Sequence, residues 1–223
     1  MIRTELISNF RAECPEIDIN VISDAILQNW LFTGDKEICA ATRCIVGETT
    51  FNTVINDTKW DLTAKIPNFY DINEWPGGGV NLDGDRLTKT TKAELDDIDE
   101  YWRQNGAGNP EFYFRYGKYI YTEMPVDSVY VMIVDAVLVS DDYNADVMPF
   151  NQLPYLVPFH WSLVLYLIKK AKAKVGKPDE AAIAEKEFTN FIAWMKKEVQ
   201  GGMSSKVLYR QPNGQIVTPR YRR

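Results

Sequence analysis

The sequence predicts an α+β fold: a helical bundle with an inserted antiparallel β-rich region and an extended C-terminal tail. Three observations carry this. Apolar residues recur at helical spacing near both ends of the chain, over about 3–12, 20–42, 159–175 and 178–200, with one further helix at about 91–104. Between about 44 and 139, β-branched and aromatic residues dominate in short runs separated by turn residues. After Gly201 and Gly202 neither period persists, so residues 203–223 are expected to form a tail on a body of residues 1–202.

Composition bounds the class. A chain of 223 residues, 45% hydrophobic and 13% aromatic, has enough large side-chain area to offset chain entropy. Disorder of the body is not expected. The first ten residues mix Arg3, Glu5 and Asn9 among apolar ones and do not read as a secretion signal. The longest apolar run, Leu156 to Ile168, is broken by Pro158, His160 and Ser162 and is shorter than the roughly 20 residues of a membrane span. It reads as a buried helix. Cys14, Cys39 and Cys44 show neither CxxC spacing nor a histidine cluster, so reduced, buried thiols in a cytoplasmic protein are predicted. The net charge is −6, yet Met203–Arg223 holds Lys206, Arg210, Arg220, Arg222 and Arg223 and no acid; without that +5 the body carries −11. An acidic body repels a nucleic-acid backbone, whereas the basic end suits a nucleic acid or an acidic protein surface.

Taken in order, Ile2 to Phe10 reads as a short helix ending before Pro15. A stronger one starts near Asn20, capped by Asp18 or Asn20, with Val21, Ile22, Ala25, Ile26, Trp30 and Leu31 on its apolar face. Gly34 is expected to end or bend it before Lys36 to Thr42. Ile45, Thr49 to Phe51, Thr53 to Ile55, then Trp60, Leu62, Ala64 and Ile66, read as strands. Glu74 to Gly79 is a loop, and Asp83, Gly84 and Asp85 a hairpin turn before Leu87. Thr90 or Thr91 caps the helix to about Gln104, with Glu94 completing a capping box. Strands follow at Glu111–Tyr116, Lys118–Glu123 and Ser128–Val139, the first two turning at Gly117. The apolar helix Phe159–Val175 leads through Gly176 to the last one. There Pro178, Asp179 and Glu180 suit the first turn, Ala181, Ala184, Phe188, Phe191, Ile192, Met195 and Val199 form one stripe, and Gly201 and Gly202 supply the stop.

No constellation carries catalysis. His160 is the only histidine and has no acid or nucleophile at a useful spacing. Acids Asp96, Asp97, Asp99 and Glu100 point to different sides of a helix and read as a solvated face. Asn81, Asp83 and Asp85 echo a calcium loop without its closing glutamate, and Gly77 to Gly79 lack the Lys-Ser/Thr of a phosphate cradle. Phe112, Tyr113, Phe114, Tyr116, Tyr119 and Tyr121 form either a stacking platform or one face of a core. The expectation is a non-enzyme without metal or cofactor. The basic tail, with Lys206, Val207, Leu208, Tyr209, Arg210, Ile216, Val217, Arg220, Tyr221, Arg222 and Arg223, asks for a partner surface.

Laid end to end, the pieces resemble the head-to-tail connector (adaptor, or neck) proteins of tailed bacteriophages. The likeness runs through Cys14, Pro15, Ile22, Ala25 and Ile26 to Ile38, Cys39, Ala41 and Thr42. It continues in Leu87, Thr90, Leu95, Trp102, Gly106, Pro110, Phe112, Ile120 and Pro125, then in Leu153 and Pro154, and in Ala181, Phe188 and Ile192. It departs at Val126 and Asp127, where a second proline is expected. The resemblance implies a structural virion protein at the head–tail junction, assembled in the host cytoplasm as a homo-oligomeric ring, typically a dodecamer. Its partners would be the portal protein, bound through the tail residues just named, neighbouring copies, and a downstream tail or neck protein. DNA would pass through the lumen without sequence-specific binding, and no membrane is involved. Two alternatives stand beside it: a DNA-binding protein with a basic C-terminal arm, and a carbohydrate-binding virion component.

Overall fold

The computed structural model describes residues 1–74, 78–140, 150, 153–205, 209–210 and 216–217; for 154–155, 200–205, 209–210 and 216–217 the backbone alone is described. The protein is a mixed helix-and-sheet, α+β fold. Its contacts divide into two units, Met1–Cys44 with Ser140–Arg223, and Ile45–Val139.

The first unit holds α1 (Arg3–Glu13), α2 (Asp24–Thr42), a 3₁₀ segment (Pro154–Phe159), α5 (Trp161–Lys174) and α6 (Pro178–Ser205). α5 packs against α1, α2 and α6, and α2 also meets α1 and α6. That central place explains why its apolar residues need no single stripe: Leu163, Val164, Leu165, Tyr166 and Leu167 are all buried. α2 buries Leu27, Leu31, Gly34, Asp35, Ile38, Cys39 and Thr42; of the expected face Leu31 is buried, and so is Ile22 just before the helix, whereas Val21 and Ala25 are exposed. Its start explains the difference. Ser23, not Asp18 or Asn20, occupies the N-cap position, while Asp18 accepts a hydrogen bond from the Asn20 N–H in the preceding turn (2.7 Å). Val21 therefore precedes the helix and is exposed. Gly34 does not end α2, which continues to Thr42. A Cβ at Gly34 would lie 2.7 Å from Tyr166 Cδ1, so the glycine admits the α5 ring rather than breaking the helix.

Nor do Gly201 and Gly202 stop α6, which runs on to Ser205. Asp179 and Glu180 in its first turn suit the positive end of the helix dipole. Beneath that end Lys172, 8% exposed, bonds both Glu16 and Glu180, and its ammonium pulls the Glu16 carboxyl down to about 2.

The second unit contains two sheets. In the first, β9 (Val131–Leu138) pairs along its whole length with β1 (Ile45–Asn52). On its other side it pairs with β3 (Phe69–Ile72) and β4 (Val80–Leu82), and β4 pairs with β5 (Asp85–Arg86). The second sheet has the order β2 (Lys59–Asp61), β8 (Tyr119–Thr122), β7 (Phe112–Tyr116), β6 (Thr88–Lys89). The expectation of an antiparallel region needs one correction, because β6 runs parallel to β7. The helix between them supplies the crossover that a parallel neighbour requires. Both sheets contribute to one core, with Trp60, Ile120 and Tyr113 meeting Ile72, Val80, Met132 and Val134. Each such side chain contributes roughly 1.5–3 kcal/mol on full burial.

Two further expectations fail locally. Leu62–Lys65 forms a one-turn helix, α3, rather than a strand. The Asp61 carboxylate accepts from the N–H groups of Thr63 (3.0 Å) and Ala64 (3.3 Å), turning the chain into a capped turn. The helix expected over 91–104 ends at Ile98: α4 spans Lys92–Ile98, and a 3₁₀ turn follows at Trp102–Gln104. Asp99 accepts from the Tyr101 N–H (2.9 Å), and Trp102 folds back to donate its indole N–H to Asp96 (2.8 Å). The start of α4 keeps the expected capping box, with Thr91 Oγ1 accepting from the Glu94 N–H (3.1 Å) and Glu94 accepting from the Thr91 N–H (2.7 Å).

Candidate functional site

Two places hold the residues that the sequence singles out: the chain beyond α6 and an open cleft on the second sheet. Beyond α6, Tyr209–Arg210 (β10) and Ile216–Val217 (β11) form an antiparallel ribbon, with Tyr209 opposite Val217 and Arg210 opposite Ile216. The ribbon joins neither larger sheet. It corrects the picture of a wholly extended tail. Two β-favouring pairs separated by five residues that include Gly214 are the sequence signal that would have found it. Lys206, Val207, Leu208, Arg220, Tyr221, Arg222 and Arg223 lie outside the described residues. A two-stranded ribbon is marginal in water without a surface to cover it. This one lies in a basic segment that contains no acid.

The cleft has a volume of about 940 Å³. Strand alternation decides what lines it. On β7, Tyr113 points into the shared core while Phe114 joins Trp102 and Leu95 in a second apolar cluster, flanked by Phe112 and Tyr121. Phe114 stacks on Tyr121 (5.0 Å, 7°), and Trp102 meets Phe114 edge-on (5.8 Å, 85°). Cations cover the outer rings: Lys59 Nζ sits 3.9 Å from the Tyr119 centroid and the Arg103 guanidinium 4.6 Å from that of Trp102. Of the stripe, Tyr113 and Phe114 are core, Phe112 and Tyr121 pack half-buried beside them, Tyr119 is half-buried and Tyr116 is 75% exposed.

Charges around the cleft are mostly paired. Arg115 bonds Asp71 and the Tyr70 carbonyl, Arg103 pairs with Asp96 (2.8 Å) and Lys89 with Glu74 (2.5 Å). Buried Glu123 accepts from the backbone N–H groups of Glu111 (2.6 Å) and Phe112 (3.0 Å), and burial raises its carboxyl above the ordinary range. These carboxylates organise strands and hold cations; they do not converge on a common point. Asp96 is exposed, as expected of a solvated face, and also accepts from Trp102 and Arg103.

The remaining sequence candidates separate. His160 is buried, with Nδ1 2.8 Å from the Met1 amino nitrogen, and burial together with that neighbouring charge lowers it to about 4. Asp83 and Asp85 flank the β4–β5 turn, where Asp83 accepts from the Val131 N–H (2.7 Å). Gly79 donates to Asp135 (3.0 Å), and Gly77 lies outside the described residues. Among the described residues no group of three or more His, Cys, Asp or Glu side chains is placed to hold a metal ion, and no helix is long and apolar enough to cross a membrane.

Sequence reasoning missed the cluster at the end of α2. Asp35 is fully buried, accepts from the Phe150 N–H (3.2 Å) and lies 3.5 Å from Cys39 Sγ; burial pushes its carboxyl up to about 6. Its spacing from Cys39 was visible, but the helix face it occupies depended on where α2 begins. Comparison with protein-family models gives no match to this chain, and comparison with curated proteins gives none either.

Proposed function

We propose that this chain is a structural subunit of a tailed-bacteriophage head-to-tail connector. In this reading about twelve copies form a ring beneath the portal, dock through the C-terminal segment and line part of the DNA path. The observation that carries the reading is the basic, acid-free segment after α6, in which a two-stranded ribbon pairs with neither larger sheet. Ordering such a segment costs on the order of 1–2 kcal/mol per residue in the backbone, a cost that apolar and charge-assisted contact with a partner groove offsets. Repetition around a ring keeps undocked tails near their sites and strengthens attachment. The −11 body also suits a conduit, since a negative wall does not grip phosphates that must move past it.

Removing Lys206–Arg223 while keeping α6 tests the proposal. The shortened protein should retain its circular dichroism and unfolding transition yet fail to join portal-bearing heads. Normal joining overturns the assignment. The same basic segment favours a second reading, an arm that binds DNA. That reading requires affinity for free duplex that falls steeply with added salt and vanishes in the shortened protein.

A further inference from the structure

We propose that Cys39 and Cys44 are a modification site: a thiol pair that closes to a disulfide on exposure to a peroxide-class oxidant. The backbone creates the pair. α2 ends at Thr42, and Arg43 adopts the left-handed conformation (φ 55°, ψ 37°) with its N–H donating to the Cys39 carbonyl (2.8 Å). A helix end of this type folds the following residue back over the turn it terminates. Cys44 is that residue, and its Sγ lies 3.8 Å from Cys39 Sγ. Both thiols are fully buried, so a peroxide reaches them through local opening of the chain, and whichever is oxidised first has the other as its neighbouring thiol. Closure to a bond of about 2.05 Å requires roughly 2 Å of approach from the present 3.8 Å.

The neighbourhood favours the chemistry. Cys44 Sγ donates to Cys39 Sγ and Cys39 Sγ to the Asp35 carboxylate, so a short path for protons runs through the pair. The Cys44 thiolate attacks a peroxide oxygen; the O–O bond breaks and hydroxide leaves, taking up a proton as water. Cys39 then attacks the resulting sulfenic sulfur. An S–S bond forms, the S–O bond breaks, and the second hydroxide leaves as water. Two thiols thus lose two electrons, one hydrogen peroxide is reduced, and two waters form. Asp35, 3.5 Å from Cys39 Sγ, stands where the Cys39 proton departs. The bond would tie the last turn of α2 to Cys44, the residue at which the chain leaves the helical unit.

The sequence makes the test sharp, because trypsin cuts after Arg43, between the two cysteines. The full-length protein, reduced and then freed of reductant, is treated with hydrogen peroxide, blocked with N-ethylmaleimide under denaturing conditions and digested. The expected result is Glu37–Arg43 joined to Cys44–Lys59, released by dithiothreitol, with Cys14 alkylated. The Cys14→Ser protein should close equally well. Alkylation of all three cysteines after peroxide treatment, sulfinic acid at Cys39 or Cys44, or a bond from either to Cys14 overturns the proposal.

Discussion

Replacing Gly34 by alanine tests the close approach of α2 and α5. The added methyl would lie 2.7 Å from Cδ1 and 3.0 Å from Cγ and Cε1 of Tyr166, where carbons in ordinary contact sit about 3.5–4.0 Å apart. Tyr166 is fully buried, so its ring cannot swing into solvent. Relief must come from a strained rotamer or from separation of the helices, and overpacking of this kind costs about 1–3 kcal/mol. Against this stands the preference of a helix interior for alanine over glycine, about 1 kcal/mol. The balance leaves Gly34→Ala destabilised by about 1 kcal/mol, read as a lower urea midpoint at unchanged slope. In a Tyr166→Val background the ring is absent and the sign reverses, so alanine stabilises by up to about 1 kcal/mol. The coupling across this double-mutant cycle is about 2 kcal/mol. Equal stabilisation by alanine in both backgrounds would show that the ring does not oppose the methyl.

Asp35 predicts a pH dependence. Between its ordinary value of 3.8 and its folded value of about 6 the native state binds the proton more tightly than the unfolded chain. Its contribution to stability is therefore complete below about pH 4 and is lost as pH rises through 6, by about 3 kcal/mol at about 1.4 kcal/mol per pKa unit. Asp35→Asn does not titrate, so its stability relative to the parent should improve by about 2 kcal/mol from pH 4 to 7; a difference flat across this range rejects the assignment. Thr91→Ala removes one arm of the α4 capping box and should cost about 1 kcal/mol in urea unfolding, while Thr91→Ser should cost less; equal losses would mean that the hydroxyl does not cap.

The sequence announces elements whose signals are redundant. α6 has its proline, acids and stripe all in agreement, and Thr91 with Glu94 marks α4. What it conceals depends on partners distant in the chain. Gly34 reads as a breaker until Tyr166 is known to fill its place. Leu62 and Ala64 alternate like a strand, but Asp61 captures the intervening N–H groups. The parallel placement of β6 is a tertiary choice that alternation cannot encode. Among the site candidates, the basic composition of the tail is plain in the residues, and its ribbon was signalled by two β-favouring pairs with a short glycine-containing interval between them. The internal stacking of Phe114, Tyr121 and Trp102 needed the fold, as did the meeting of Asp35 with Phe150.

Because β1 and β9 lie side by side with Ile45 opposite Leu138, the excursion into the sheets begins and ends at a single doorway about 5 Å wide. A guest anchored in this way stretches nothing in its host. A short bridge from Cys44 to Ser140 would close the gap with little entropy to overcome. The two ends of the segment can therefore be rejoined directly, and this point offers engineers a graft site for a foreign domain.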